Sequence, residues 1–179
     1  MALKINKWYV ALAVGAIVIK LSSCSSIPKG AVAVQPFDQK KYLGKWFEIA
    51  RLDFKFEKNL NNVTANYSIK EDGKIRVENR GYDYKKNEWK QSVGKAKFKG
   101  DPNIGRLKVS FFGPFYSPYN VLAVDDNYQY ALVAGKNLEY LWILSRETTI
   151  PDNIKSAYLQ KAESLGYDTG DLVWVEHNK

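Results

Sequence analysis

The stretch Tyr42-Leu-Gly-Lys-Trp-Phe-Glu-Ile-Ala-Arg-Leu-Asp-Phe54 decides how the whole chain is read. Gly44 precedes Trp46 by two residues, and both stand at the head of an apolar run that predicts a strand over Gly44–Asp53. Conventional catalytic residues are scarce around it. The 179 residues hold one histidine, His177, and one cysteine, Cys24. A nucleophile–histidine pair and a histidine-ligated haem are therefore disfavoured. Trp46 needs a structural explanation.

Downstream the pattern is short strands broken by turns every 8–12 residues. The second strand, Asn62–Ile69, alternates cleanly, with Val63, Ala65, Tyr67 and Ile69 on one face. Asp72-Gly73 supports a tight hairpin, because this pair tolerates the positive φ such turns demand. Further strands are predicted at Ile75–Tyr84, Trp89–Phe98, Arg106–Phe112, Tyr119–Val124, Tyr128–Ala134 and Leu138–Ser145. That makes eight sequential strands with short links, an up-and-down meander. The period then changes: Ile154, Ala157, Tyr158, Ala162 and Leu165 recur on one helical face between Pro151 and Gly166. A short strand at Asp171–Glu176 ends the pattern.

A meander leaves two exposed edges unless it closes, and eight strands close around a space fit for one small ligand. The expected fold is all-β, an eight-stranded antiparallel barrel with the helix packed outside. Each strand reverses the last, so Trp46 at the start of the first and Arg146 after the eighth fall at the same end. A guanidinium over an indole contributes roughly 0.5–2 kcal/mol, and the pair would seal the barrel floor. Gly44 leaves room for the preceding segment to cross beneath, and the Asp125–Asn127 turn falls at the floor too. The alternative is an ordinary core tryptophan and a strand-end charge.

Residues 1–23 are a separate matter. Lys4 and Lys7 form a basic start, and Trp8–Ile19 is a 12-residue apolar run, short of the about 20 residues needed to span a bilayer. This is the pattern of a signal peptide. It ends in Leu21-Ser22-Ser23-Cys24, the order of a bacterial lipobox whose cysteine takes the lipid; Lys20 departs from the usual pattern. Residues 24–36 then serve as a lipidated tether, and residues 37–179 form the domain. Ser25 after the cysteine points to the outer membrane. Three of the 27 basic residues lie in the leader, so the processed chain has 24 against 19 acidic, a net of +5. Export disfavours a nucleic-acid partner; a mild positive charge fits anionic headgroups better.

Gly44-Lys45-Trp46, Arg146 after the eighth strand and the helix that follows resemble the lipocalin signature. The run from about Phe37 to Glu176 is similar to the bacterial outer-membrane lipocalins and their relative apolipoprotein D. The resemblance implies a lipid carrier holding a fatty acid or lysophospholipid, with no cofactor, lipid-anchored at Cys24 and facing the periplasm. One departure is the second lipocalin motif, usually Thr-Asp-Tyr. Here it reads Val124-Asp125-Asp126, so only Asp125 matches.

Alternation nominates Ala65, Tyr67, Val77, Asn79, Val109, Phe111, Asn120, Leu122, Tyr140 and Trp142 as the lumen lining, an apolar, aromatic set with a few polar groups. The mouth carries Phe115 and Tyr116, flanked by Phe112 and Tyr119. Aromatics there can admit an acyl chain, touch the membrane or bury in a subunit contact; the resemblance favours the last, since bacterial members can form homodimers. Two other readings stand beside lipid carriage. One is an enzyme using Glu48 or Glu78, although nothing in the sequence pairs them. The other is a structural or assembly lipoprotein whose barrel is filled by its own side chains.

Overall fold

The computed structural model describes residues 26–179; the leader and Cys24 lie outside them. A short helix α1 (Gln39–Tyr42) leads into β1 (Gly44–Leu52), followed by β2 (Leu60–Ile69), β3 (Ile75–Asp83), β4 (Glu88–Phe98), β5 (Arg106–Ser110), β6 (Ser117–Val124), β7 (Tyr130–Ala134) and β8 (Leu141–Ser145). Helix α2 (Asp152–Ser164) and a last strand β9 (Leu172–Trp174) complete the chain. Every pairing is antiparallel, each of β2 to β8 lies beside its sequence neighbour, and β1 bonds both β8 and β2. The meander is thus a closed barrel.

Closure shares one edge of β1 between two partners. Gly44–Phe47 pair with β2, whereas Ala50–Leu52 pair with β9. The C-terminal tail fills the gap where β2 departs: the Asn62 amide donates to Glu176 O, and Asn62 Oδ1 accepts from the Asn178 and Lys179 amides. A free edge at this seam would invite pairing with another chain. The tail covers it.

Two apolar layers follow from strand alternation. The inner layer contains Trp46, Tyr67, Ile75, Val77, Ala96, Leu107, Val121, Val133 and Leu144. The outer layer, beneath α2, contains Ile49, Ala50, Leu122, Leu132, Leu141 and Ile143 with Tyr158 and Ala162 of the helix. Leu159 packs there as well, whereas Ala157, expected on the buried face, is exposed. Gly166, at φ +92°, takes the left-handed conformation just beyond the helix end.

Residues 26–36, expected to be a tether, lie against the barrel wall. The Val34 amide donates to Val121 O, and Val34 O accepts from the Gly105 amide. Gly105 is required at this crossing, because a Cβ would stand 2.8 Å from the Val34 side chain. Ile27 and Ala31 join the outer apolar layer, and Ala33 is buried. The described part of the segment is therefore docked through Ile27, Ala31, Ala33 and Val34, while Val32 stays exposed.

Candidate ligand-binding lumen

The floor is built around Arg146. Its guanidinium carbon lies 3.7 Å from the centroid of the Trp46 ring. Its nitrogens donate to four backbone carbonyls: Tyr128 at 3.1 Å, Lys45 at 2.7 Å, and Lys41 and Leu43 at 2.8 Å each. The carbonyls come from the α1 segment, the start of β1 and the β6–β7 turn, so one side chain ties three pieces of chain together. Gly44 sits at φ +93° with its Cβ direction 3.4 Å from Arg146; a side chain there would be strained and would crowd the guanidinium. Trp46 is fully buried and its Nε1 donates to Tyr42 O at 2.8 Å.

Asp125 organises the neighbouring turn. Its Oδ1 accepts from the Gln129 and Tyr130 amides, both at 2.7 Å, and its Oδ2 from the Asn127 amide at 3.2 Å. The turn in turn places Tyr128, whose carbonyl meets Arg146 and whose hydroxyl accepts from the Asp38 amide at 2.7 Å. Thus a single matching residue of the second motif holds the floor contact, through the turn it caps.

Above the floor three tyrosines join. Tyr119 OH lies 2.6 Å from Tyr42 OH and 3.0 Å from Tyr67 OH. Burial raises Tyr42 and Tyr119 well above the ordinary phenol range and pushes Tyr67 up to about 12. All three stay neutral and share their protons as a hydrogen-bonded triad. Tyr119 was expected beside the mouth; it points inward because β6 begins at Ser117, with Tyr119 opposite Leu107. The base left between these rings and Ile75, Leu107 and Val109 is a void of about 10 Å³, room for about one water. The lower barrel is filled.

The upper barrel differs. Ala65, Asn79, Phe111 and Trp142 face inward yet keep partial exposure, as does Val109 beside the lower void, and Ser92, opposite Asn79, is exposed. Asn79 Oδ1 is a buried acceptor with no partner among the described residues. Tyr67 and Val77 belong to the inner layer, and Tyr140 stacks beside Trp142 at the rim, 6.3 Å between centroids. Asn120 and Leu122 correct the expected lining. Leu122 packs under α2, and Asn120 Nδ2 donates to Ser26 O, Ala134 O and Gly135 O. Tyr119 and Val121 take the inward positions of β6, so Asn120 and Leu122, one residue out of phase with them, both face outward.

A charged cluster in the upper wall was missed by sequence reasoning. Arg51, 1% exposed, donates from NH1 to Glu48 Oε1 at 2.8 Å and from NH2 to the carbonyls of Glu57 and Leu60. Its Nε lies 3.4 Å from Asp53 Oδ1 and 4.0 Å from Glu57 Oε2, which also accepts from Trp142 Nε1 at 3.0 Å. Strict alternation from Trp46 turns Arg51 outward. The irregularity between Glu48 and Ala50 reverses the phase and brings it in. Burial, and then the Glu57 charge, hold Glu48 well above the usual carboxylate range, although Arg51 opposes the shift; burial likewise raises Glu57.

This cluster ties down the β1–β2 link, whose rings reach across the mouth. Phe54 packs edge-on against Tyr140 and Trp142, with centroids 5.6 and 5.8 Å away. Phe56 meets Phe112 of the opposite β5–β6 link at 6.2 Å. The carboxylates considered for chemistry stand apart: Glu48 is bound to Arg51, and Glu78 lies on the outer face, 2.8 Å from Arg76. His177 sits outside the barrel, edge-on to Phe47, with Nε2 2.8 Å from Glu48 O.

A closed eight-stranded cup with a guanidinium–indole floor, an apolar lower wall and an outer helix defines the lipocalin class of carrier folds. Residues 37–177 match the family described as a lipocalin-like domain, and the chain belongs to that family. It is 48% identical over 167 residues to the outer membrane lipoprotein Blc of Escherichia coli (strain K12), covering 93% of this chain and 94% of that one. The outer membrane lipoprotein Blc of Vibrio cholerae is 46% identical over 88% of this chain and 93% of its own. Among solved structures, insecticyanin from the tobacco hornworm Manduca sexta superposes with a TM-score of 0.70 at 20% identity, covering 87% of this chain and 88% of that one. That likeness concerns the fold.

Proposed function

We propose that the protein is a non-enzymatic lipid carrier that holds the acyl chain of a fatty acid or lysophospholipid in the upper lumen. In this reading Cys24 carries the lipid anchor, and the domain faces the periplasm from the outer membrane. The names of its 46–48% identical relatives, outer membrane lipoproteins, support the location. The observation that carries the ligand assignment is the incomplete burial of inward-facing Ala65, Asn79, Phe111 and Trp142. Side chains of a filled barrel would be sealed there. The orphan acceptor on Asn79 gives a donor-bearing headgroup or a water a partner.

The energetics suffice. Burial of a methylene is worth about 0.8 kcal/mol, so about ten buried methylenes supply roughly 8 kcal/mol before association costs. Headgroup contacts and ring packing offset those costs. Micromolar binding follows, about −8 kcal/mol. Titration of the delipidated protein with C14–C18 acyl ligands tests this through tryptophan fluorescence, since Trp142 lines the site. Absence of binding to every such ligand refutes it.

One observation favours a second reading. The lower lumen has only about 10 Å³ free, as expected of a structural lipoprotein whose surface does the work. The same titration separates the two.

A further inference from the structure

We infer that the outer face of β3–β5, together with the β5–β6 link, docks on an anionic phospholipid surface, so that the barrel lies with this flank against the membrane that anchors it. The inference rests on the proposed anchorage at Cys24 and is independent of what the lumen holds.

The first observation is charge. On β3 the outward positions, alternating with buried Ile75 and Val77, are Arg76, Glu78 and Arg80; on β4 they include Lys95 and Lys97; on β5, Arg106 and Lys108. Six of these are basic and one is acidic. Two cross-strand pairs place like charges directly opposite, Arg76 with Lys95 and Lys97 with Lys108. Such pairs are destabilising; Glu78, 2.8 Å from Arg76, meets the first, whereas Lys97 and Lys108 have no ion-pair partner among the described residues. The Tyr116 ring has three ammonium groups around it, Lys97 at 5.1 Å, Lys108 at 5.6 Å and Lys95 at 5.9 Å. That arrangement concentrates positive charge beside an amphipathic ring.

The second observation is apolar surface at the border of this face. Phe115 is 78% exposed and Phe112 69%, while Val93 and Trp89 of β4 are also exposed. Basic side chains beside projecting aromatics match the two layers of an anionic leaflet, headgroup charge above acyl chains.

The third observation is where the chain leads. Ser26 Oγ accepts from Arg106 NH2 at 2.9 Å and from Lys99 Nζ, at the edge of the same basic face. Cys24 is two residues earlier, no more than about 7 Å of extended chain. With residues 26–36 docked on the wall, an acyl-anchored Cys24 leaves little slack, and the flank nearest the membrane is the basic one.

The test uses the chain as processed and lipidated in a bacterial host, on vesicles of phosphatidylethanolamine with or without phosphatidylglycerol. Phe115→Cys and, as control, Lys161→Cys on the exposed side of α2 each carry an environment-sensitive fluorophore; the lipid on Cys24 keeps the label specific. On vesicles with phosphatidylglycerol, iodide quenching of the label at position 115 falls by about threefold relative to that at 161. The shielding disappears on adding Lys95→Glu, Lys97→Glu and Lys108→Glu, and weakens with salt. Equal quenching of both labels on floated protein overturns the docking face while leaving anchorage intact. Failure to float overturns both. Shielding at 115 in detergent without vesicles, with a doubled mass, overturns it in favour of a contact between two copies of this chain.

Discussion

Replacing Arg146 with alanine removes the side chain that ties three pieces of the floor together, and the structure sets the size of the effect. Of the four carbonyls it serves, those of Lys41 and Lys45 are at exposed bonds and can turn to water. Those of Tyr128 and Leu43 are partly buried, and hydrogen bonds from a charged donor are worth about 1.5–3 kcal/mol each. Two at the lower figure give about 3 kcal/mol, and uncovering the Trp46 face adds about 1 kcal/mol. The expected loss is therefore about 4 kcal/mol. For a domain of this size that lowers Tm by roughly 8–16 °C. Urea unfolding, followed by tryptophan fluorescence and circular dichroism, should show a lower midpoint at unchanged slope. Arg146→Lys should lose about half as much, because one ammonium keeps the ring contact but not the fork to separate carbonyls. A loss below about 1 kcal/mol for Arg146→Ala would refute the reasoning, since the floor would then hold without its clamp.

Gly44→Ala should cost about 1–2 kcal/mol in the same assay, from the left-handed backbone and the crowding of Arg146. Glu48 and Glu57 have folded-state values above the ordinary carboxylate range, so folding takes up protons there. Their contribution is fully present below the ordinary value and is lost as pH rises through the raised ones. Thermal scans across that window should slope downward with pH, and Glu48→Gln should flatten the slope. Arg51→Ala, which leaves Glu48 buried without its cation, should cost about 3–5 kcal/mol, read as a lower urea midpoint. Asn79→Leu should weaken a lysophospholipid with a hydroxyl-bearing headgroup severalfold in fluorescence titration and leave stability nearly unchanged, because its Oδ1 has no protein partner to lose.

Strand count, closure and the common end of Trp46 and Arg146 were legible in the sequence because they need only parity and the turn signals. Inner residues on regular strands, such as Tyr67, Val77 and Val109, were legible too. What failed was strand phase. The irregularity after Glu48 turned Arg51 inward, because it inserts a residue that no period-2 pattern anticipates. Asn120 and Leu122 were misplaced together by one residue of phase: Tyr119 and Val121 face inward, and the unbroken apolar run Val121-Leu122-Ala123-Val124 offers no alternation to fix which face is which. The docking of residues 26–36 on the wall was hidden for another reason: Ile27, Ala31 and Val34 are spaced like a linker's incidental apolar residues, and only the barrel wall gives them a partner.

The central claim is that the upper lumen receives one acyl chain. Native mass spectrometry of the protein and of Ala65→Trp, which would place an indole among the half-exposed inner residues, tests it most directly. The parent chain should take up one added C16 lysophospholipid, or carry an extractable long-chain lipid, while the folded Ala65→Trp variant should do neither. Equal uptake by both, or none by either, would contradict it.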